Sequence, residues 1–475
     1  MITPDLLVLD YTGSIINSEG WVTDEGWWTL CDQGLYVKLD GTGLKREPFS
    51  ITPLFFSINL DFLVASTSWK AVLAYLQSAG TRTRCDPKYV WRYLEFQCPP
   101  TSRTLCEGIR LLRSGETIEL LGKKPQSRLV SFTKRLDTDD SLDLRAELEK
   151  NISVLDLSST AFHLSAGLDS SLLALLAGRI HTISVKTATI ITRGEGASQE
   201  LDIIRRLSDD AGFDLSEFDF RELDILKTAD QLVEALGFPT AHPSHLSRFL
   251  LDNELVKQGI GTIVTGRGAD ESMAGYDWHR NDFSDPVLHQ KRVRSTAADD
   301  LSTVLSVSGM TLPWDGWRNA RVIDLRERIQ YDWWTIMESW GIIDRSFSLA
   351  LDVEYSHPFL LNGLARRLLG MADDSLLKNG LQKIPLRTSF LDVYPDYLLK
   401  QPKRGFRFDI GLYLKYLSFD AIMGVILNPE ALNRHIKASG VSKMIRQTLS
   451  GERNFGWQIW SLMLSAFACD KFKLV

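Results

Sequence analysis

Residues 160–174 read TAFHLSAGLDSSLLA. A short apolar run meets a cluster of small residues with one glycine and one carboxylate, and an apolar helical pattern follows at once. That order predicts a strand, an abrupt turn and a helix. The stretch 261–276, GTIVTGRGADESMAGY, repeats the theme of strand, Gly-rich loop and aspartate. Between the two, IHTISVKTATI at 180–190 is a second β-branched run, and ASQELDIIRRLSDDAGF at 197–213 is amphipathic with a helical period. Strands alternating with helices predict an α/β fold with a parallel, doubly wound sheet.

In such a sheet, ligands sit beyond the carboxyl ends of the strands. A Ser/Gly-rich turn there, opening a helix, points several backbone N–H groups at one place, where the helix dipole also favours an anion. Ser165, Ala166, Gly167, Ser170 and Ser171 suit a phosphate cradle because bulkier side chains would block the approach. Asp169 would repel phosphate unless a cation stood between them. Its presence implies Mg²⁺, a hard ion that commonly keeps one or two carboxylates plus phosphate oxygens. Asp270, on the second loop, supplies the other carboxylate. Taken alone, Gly-Leu-Asp-Ser is equally a capped helix start, and most Gly-rich turns are only turns. Two such loops on one α/β pattern favour a nucleotide. No GxxxxGK[ST] occurs, so this is not a Walker loop.

The bulk of the chain agrees with a soluble enzyme. Its 475 residues suffice for two or three domains. A formal charge of −6 gives no global pull toward nucleic acid or anionic membranes. No apolar run reaches the ~18–20 residues of a spanning helix, and MITPDLLVLD lacks the pattern of a signal peptide. Cys31, Cys85, Cys98, Cys106 and Cys469 form no CxxC pair, so the expectation is buried thiols in a reducing, cytoplasmic compartment. Residues 1–130 look β-rich, with alternating runs such as GLYVKLDG, LDFLVASTS and GETIELLG and with helical patterns in WKAVLAYL and PKYVWRYLEF. KRLDTDDSLDLR reads as the linker, and 140–475 as the second domain. A Trp-rich patch (Trp314, Trp317, Trp333, Trp334, Trp340) is compatible with core or with an apolar peptide groove.

HLSAGLDSSLLA closely resembles the pyrophosphate-loop motif (SGGxDS) of ATP pyrophosphatases, enzymes that cleave ATP to AMP and pyrophosphate. More narrowly, the chain resembles the asparagine synthetase class B superfamily. VTGRGADESMAGY is similar to its second loop, IIDRSFSLALDVEYSHPFL to the segment ending in Pro-Phe-Leu-Asp, and LQKIPLR and QPKRGFRFDI to the K..LR and PKxGF segments. DPKYVWRYLEFQCPPTSRTLCEGIRLLRSGETIEL is similar to the end of the family's glutaminase domain. The resemblance implies a glutaminase-like (Ntn-type) α+β domain followed by an ATP-pyrophosphatase synthetase domain with added helices. It implies ATP and Mg²⁺ as cofactors, with Leu164, Ser165, Ala166, Gly167, Leu168, Asp169, Ser170, Ser171, Gly266 and Gly268 around the nucleotide and Asp169 and Asp270 on the metal. Lys403 matches the lysine that stabilises negative charge in adenylation and acyl transfer. Lys383 and Arg387 are further phosphate-contact candidates, or a solvated helix face. Ser198 and Glu200 line the nucleotide pocket or merely cap a helix. Glu354 orients substrate or is a salt-bridge partner.

Four departures sharpen the expectation. Ala166 replaces a glycine of the first loop, and Leu361 stands where an aspartate is expected. Position 2 is Ile2 rather than the glutaminase cysteine, so the N-terminal domain is expected to lack its nucleophile. Arg267 occupies the position of a tyrosine base in the β-lactam-forming relatives, and arginine is no base at ordinary pH. It is instead suited to grip a carboxylate or the adenylate phosphate, or to pair with Glu271. These features favour a lasso peptide macrolactam cyclase. Such an enzyme adenylates an Asp or Glu side chain of a precursor peptide and closes a ring with the peptide's N-terminal amine. A leader peptidase and a precursor-recognition protein are then the expected partners. The alternatives are a β-lactam or carbapenam-type synthetase, a glutamine-independent relative of asparagine synthetase, and a catalytically dead ATP-binding scaffold.

Overall fold

The computed structural model describes residues 5–10, 15–19, 21–24, 27–30, 35–38, 43–59, 61–96, 102–121, 124–129, 142–193, 197–239, 242–280, 303–306, 324–401 and 408–475. Thr160–His163 and Thr262–Val264, the two strands that carry the loops, lie side by side and parallel, with Phe162 opposite Val264. Lys186–Ile191 and then Asp214–Asp219 extend the sheet on one side, and Glu354–Ser356 extends it on the other. In chain order the sheet reads third, second, first, fourth, fifth. The strand order therefore reverses between the two loop-bearing strands, which is where a doubly wound sheet opens its ligand crevice.

Alternation along these strands feeds two separate cores. Phe162 and Val264 point into a cluster with Leu148, Leu172, Leu176, Leu207 and Phe359. Ala161, Ala188 and Ile263 point the other way, against Leu251 and Leu255 of the helix Ser244–Lys257. Both faces are thus covered, as a parallel sheet requires. The helix Leu168–His181 starts at Gly167, so its first N–H groups are not covered by any capping side chain.

The N-terminal part is antiparallel. A five-stranded sheet (Ile15–Glu19, Leu6–Asp10, Phe62–Ser66, Leu54–Ile58, Arg110–Leu112) faces a six-stranded one running from Lys124–Leu129 to Trp21–Asp24. Leu7, Leu9, Phe56 and Leu63 of the first meet Val37, Leu44 and Ile118 of the second. On the outer side of the five-stranded sheet, the helices Trp69–Ser78 and Pro87–Phe96 share one apolar cluster with the C-terminal helix Gly456–Lys471. Residues 134–141 of the expected linker lie outside the described residues. Cys85, Cys106 and Cys469 are buried and free. Among the described residues no helix is long and apolar enough to cross a membrane.

Candidate active site

The first loop is folded on its own hydroxyls. Ser170 Oγ accepts from the Ser165 backbone N–H at 3.2 Å and lies 2.8 Å from Ser165 Oγ. Ser165 Oγ accepts in turn from Gly167 N–H at 3.2 Å, and Ser171 Oγ donates to the Ser165 carbonyl at 3.1 Å. Ala166, the departure from glycine, puts its methyl into the neighbouring apolar core. Gly266 of the second loop is pressed against this turn: a Cβ there would lie 2.8 Å from Asp169 Cβ and 3.0 Å from the Ser170 nitrogen. The two loops are thus in contact where Gly266 meets Asp169 and Ser170.

Both aspartates converge on one ammonium. Lys383 Nζ stands 2.5 Å from Asp169 Oδ2 and 2.5 Å from Asp270 Oδ1. The sequence offered Lys383 only as a secondary phosphate contact; the structure sets it between the two carboxylates. It holds a left-handed backbone (φ 55, ψ 42), which costs a non-glycine residue energy and is kept where the surroundings enforce it. Part of that enforcement is Gln382, whose Nε2 donates to the carbonyls of Ala274 at 3.0 Å and Tyr276 at 2.5 Å. Gly275, between those two, faces Asp270 Oδ1 and Lys383 Cε so closely that a Cβ would collide with both. Burial alone would depress the Lys383 ammonium, but Asp169 and Asp270 outweigh it and hold its pKa above the ordinary lysine value.

Counting these three groups, the cluster has one negative charge in excess beside a loop with open helix N–H groups. Two carboxylates with hard oxygen donors, already bringing a cation between them, fit Mg²⁺, whose other ligands come from phosphate oxygens and water. Asp169 and Asp270 would hold it, and it would supply neutralisation of the pyrophosphate charge. No group of three or more His, Cys, Asp or Glu that could hold a metal occurs among the described residues.

Next to this cluster lies a second, buried one. Arg267, on the loop after Thr262–Val264, places Nε 3.3 Å from Asp344 Oδ2, and its guanidinium lies 3.8 Å above the Trp340 ring. Asp344, rather than the Glu271 considered from the sequence, is thus its ion-pair partner. Asp344 also pairs with Arg248 and, at 3.0 Å, with His357 Nε2. Arg248 continues to Asp252 at 3.2 Å, which accepts from Tyr355 Oη at 2.6 Å and meets His163 Nε2 at 2.7 Å. Burial lowers the Arg267 pKa to about 10, with Asp344 opposing, so it remains a cation at neutral pH. Burial would raise the Asp344 carboxyl, but Arg248, Arg267 and His357 hold it well below the usual range. His357, buried, stays below the ordinary histidine value. None of Arg248, Asp252, Asp344 or His357 was singled out by the sequence. Charged residues spaced along helices look solvated until the helix is packed.

The remaining expectations divide. Glu354 is exposed and starts its strand, pairing with Thr262 at the amino end of the sheet, so the structure does not bring it to the loops. The resemblance marked its segment, but the neighbouring His357 and Tyr355 are what reach the carboxyl edge. Gly268 takes φ +90 and gives its N–H to Glu271 at 3.1 Å, shaping the loop rather than lining it. Arg387 donates to the carbonyls of Gln382 and Leu399 at 3.0 Å. Ser198 lines a cleft of about 520 Å³ with Ile191, Arg193, Arg221 and Tyr416, at the carboxyl end of the strand next to the first loop. Trp333 is core, and Trp340 faces Arg267. Lys403, Trp314 and Trp317 lie outside the described residues.

A doubly wound sheet with two glycine-rich loops and paired aspartates at its switch point defines an α/β protein with its candidate crevice at the carboxyl edge of the sheet. Residues 158–470 match the asparagine synthase family, and the chain belongs to that family. It is similar to a protein of Mycobacterium bovis whose name assigns it provisionally to the glutamine-hydrolyzing asparagine synthetases, with 27% identity over 50% of this chain and 38% of the relative. A glutamine-hydrolyzing asparagine synthetase of Bacillus subtilis is 20% identical over 92% of this chain and 75% of its own length. The protein named amidase chry2 of Gibberella zeae is 25% identical over 51% of this chain and 39% of its own. The match spans 38% of the mycobacterial relative's length.

Proposed function

We propose that this chain is an ATP- and Mg²⁺-dependent amide ligase that splits ATP to AMP and pyrophosphate while activating a carboxylate. What carries the reading is the convergence of Asp169 and Asp270 on Lys383 at 2.5 Å, at the switch point and beside the Ser165–Ser171 turn. In it, the turn cradles pyrophosphate, the two aspartates hold Mg²⁺, and Lys383 adds positive charge beside the departing group. Lys403 completes the charge stabilisation, and the rest of the nucleotide extends toward the cleft at Ser198.

The finer reading is a lasso peptide macrolactam cyclase. Arg267 supports it: a protonated guanidinium stands where a base would serve a β-lactam-forming enzyme, and it is suited to hold an Asp or Glu side-chain carboxylate for adenylation. Holding the peptide's amine near the activated carbonyl then supplies the effective molarity for ring closure. An asparagine-synthetase-like ligase acting on a small acid is the second reading, favoured by the names of the relatives. ATP–pyrophosphate exchange separates them. Exchange stimulated by peptides with an acidic side chain is expected; stimulation by aspartate or a small β-amino acid, with none by any peptide, would sink the cyclase reading.

A further inference from the structure

Arg267 is held by one helix face. Trp340 and Asp344 are one turn apart on the helix Glu338–Leu351, so their side chains rise on the same side. The indole takes the guanidinium plane at 3.8 Å and the carboxylate takes Nε at 3.3 Å. The helix itself is anchored on both sides of Trp340. Glu338 accepts from Arg46 and from Arg113, each at 2.8 Å, across the boundary with the N-terminal sheets. Gly341 packs directly on the Ile51 carbonyl, leaving no room for a Cβ. The far edge of the indole meets the His245 ring at 4.6 Å, nearly perpendicular. The Arg267 side chain is only 8% exposed; Nε stands at ion-pair distance from Asp344, and neither it nor the buried Nη1 has a hydrogen-bond partner among the described residues. A buried donor left in that state is costly, and a carboxylate oxygen would satisfy it.

We propose that Trp340 is a positioning residue: with Asp344 it fixes the plane of Arg267 so that the unpartnered Nη1 edge meets the carboxylate to be activated. This rests on the proposed function and extends it, because it makes the N-terminal sheets, through Glu338 and Gly341, part of what aims the arginine. Trp340 acts through Arg267 and touches no reacting atom.

The probe is N-acetyl-glutamate α-methylamide, with its glutamine isostere as control. Binding is measured by calorimetry on the full chain with a non-hydrolysable ATP analogue and Mg²⁺ present. Trp340→Leu, which removes the ring, is expected to raise the Kd for the probe about tenfold, and Trp340→Phe, which keeps a ring face, by less than about threefold. Affinity for the analogue stays unchanged in both, and the isostere does not bind. If Trp340→Leu fails to fold, Trp340→Met carries the same comparison. Arg267→Lys keeps the charge but loses the fork, and matches the Leu variant. Equal probe affinity in wild type and the Leu or Met variant overturns the proposal. So does equal weakening of the analogue, equal binding of the isostere, or no probe binding by the wild type. Pyrophosphate exchange, scored separately, reports whether the ATP reading itself fails.

Discussion

The carboxyl edge of the parallel sheet carries two charged clusters, and they differ in kind. Asp169, Asp270 and Lys383 are partly open, with the aspartate side chains 14% and 19% exposed and both carboxylates turned to one ammonium. Arg248, Asp252, Arg267 and Asp344 are enclosed, with two cations against two anions. The first sets carboxylate oxygens that solvent reaches beside a helix start with no capping side chain, and suits a cation and an anionic ligand. The second pairs its charges internally and so sets the walls of the crevice, while Arg267 Nη1 is among the buried donors it leaves without a hydrogen-bond partner. ATP chemistry should be most sensitive at the first cluster, and folding at the Arg248–Asp344 pairs of the second.

The sharpest break of that contrast is Asp169→Asn or Asp270→Asn. Each is expected to lower pyrophosphate exchange roughly a thousandfold, the size of losing several kcal/mol of charge stabilisation, while circular dichroism stays native. Exchange within about tenfold of wild type would remove the metal assignment. Asp344→Asn should do the reverse in character. It leaves Arg248 and Arg267 buried without their shared anion, and chemical denaturation should show a loss of about 3–5 kcal/mol. A loss below about 1 kcal/mol would mean that the enclosed cluster does not carry the fold.

Gly275→Ala tests the close approach between the second loop and Lys383. Its methyl must displace Lys383 and both the carboxylate and the backbone of Asp270, and exchange should fall about a hundredfold together with a lowered thermal midpoint. The smallest effect is electrostatic. Burial lowers the pKa of His242 from 6.5 to about 4, so the folded chain binds its proton later than the unfolded chain does. Its contribution is fully present above pH 6.5 and is lost as pH falls through that window toward 4. His242→Gln should therefore flatten the decline of stability between those limits, read from denaturation midpoints across pH.

Which parts of this were legible in the sequence follows from range. The Ser165–Ser171 turn and the Gly266–Asp270 loop are local, since small residues, glycine and a carboxylate at a strand end need each other within a few positions. The strand Asp214–Asp219 escaped because DLSEFD lies at the sheet edge, is nowhere fully buried and shows no apolar alternation. The place of Lys383 was not legible, because it depends on a left-handed residue meeting aspartates far away in the chain. Asp344 and Arg248 read as ordinary helix charges, and only packing of the two helices reveals that they neutralise each other. Glu354 shows the opposite limit: a recognisable segment names its neighbourhood but not which end of the strand a side chain occupies.

The central claim is that the two loops serve cleavage between the α and β phosphates with transfer of AMP to a carboxylate. A substrate peptide carrying ¹⁸O in its acidic side chain tests it most directly, by mass spectrometry of the nucleotide after turnover. The account predicts AMP bearing one ¹⁸O, with unlabelled pyrophosphate. ADP with label in inorganic phosphate would place the attack on the γ phosphate and contradict it.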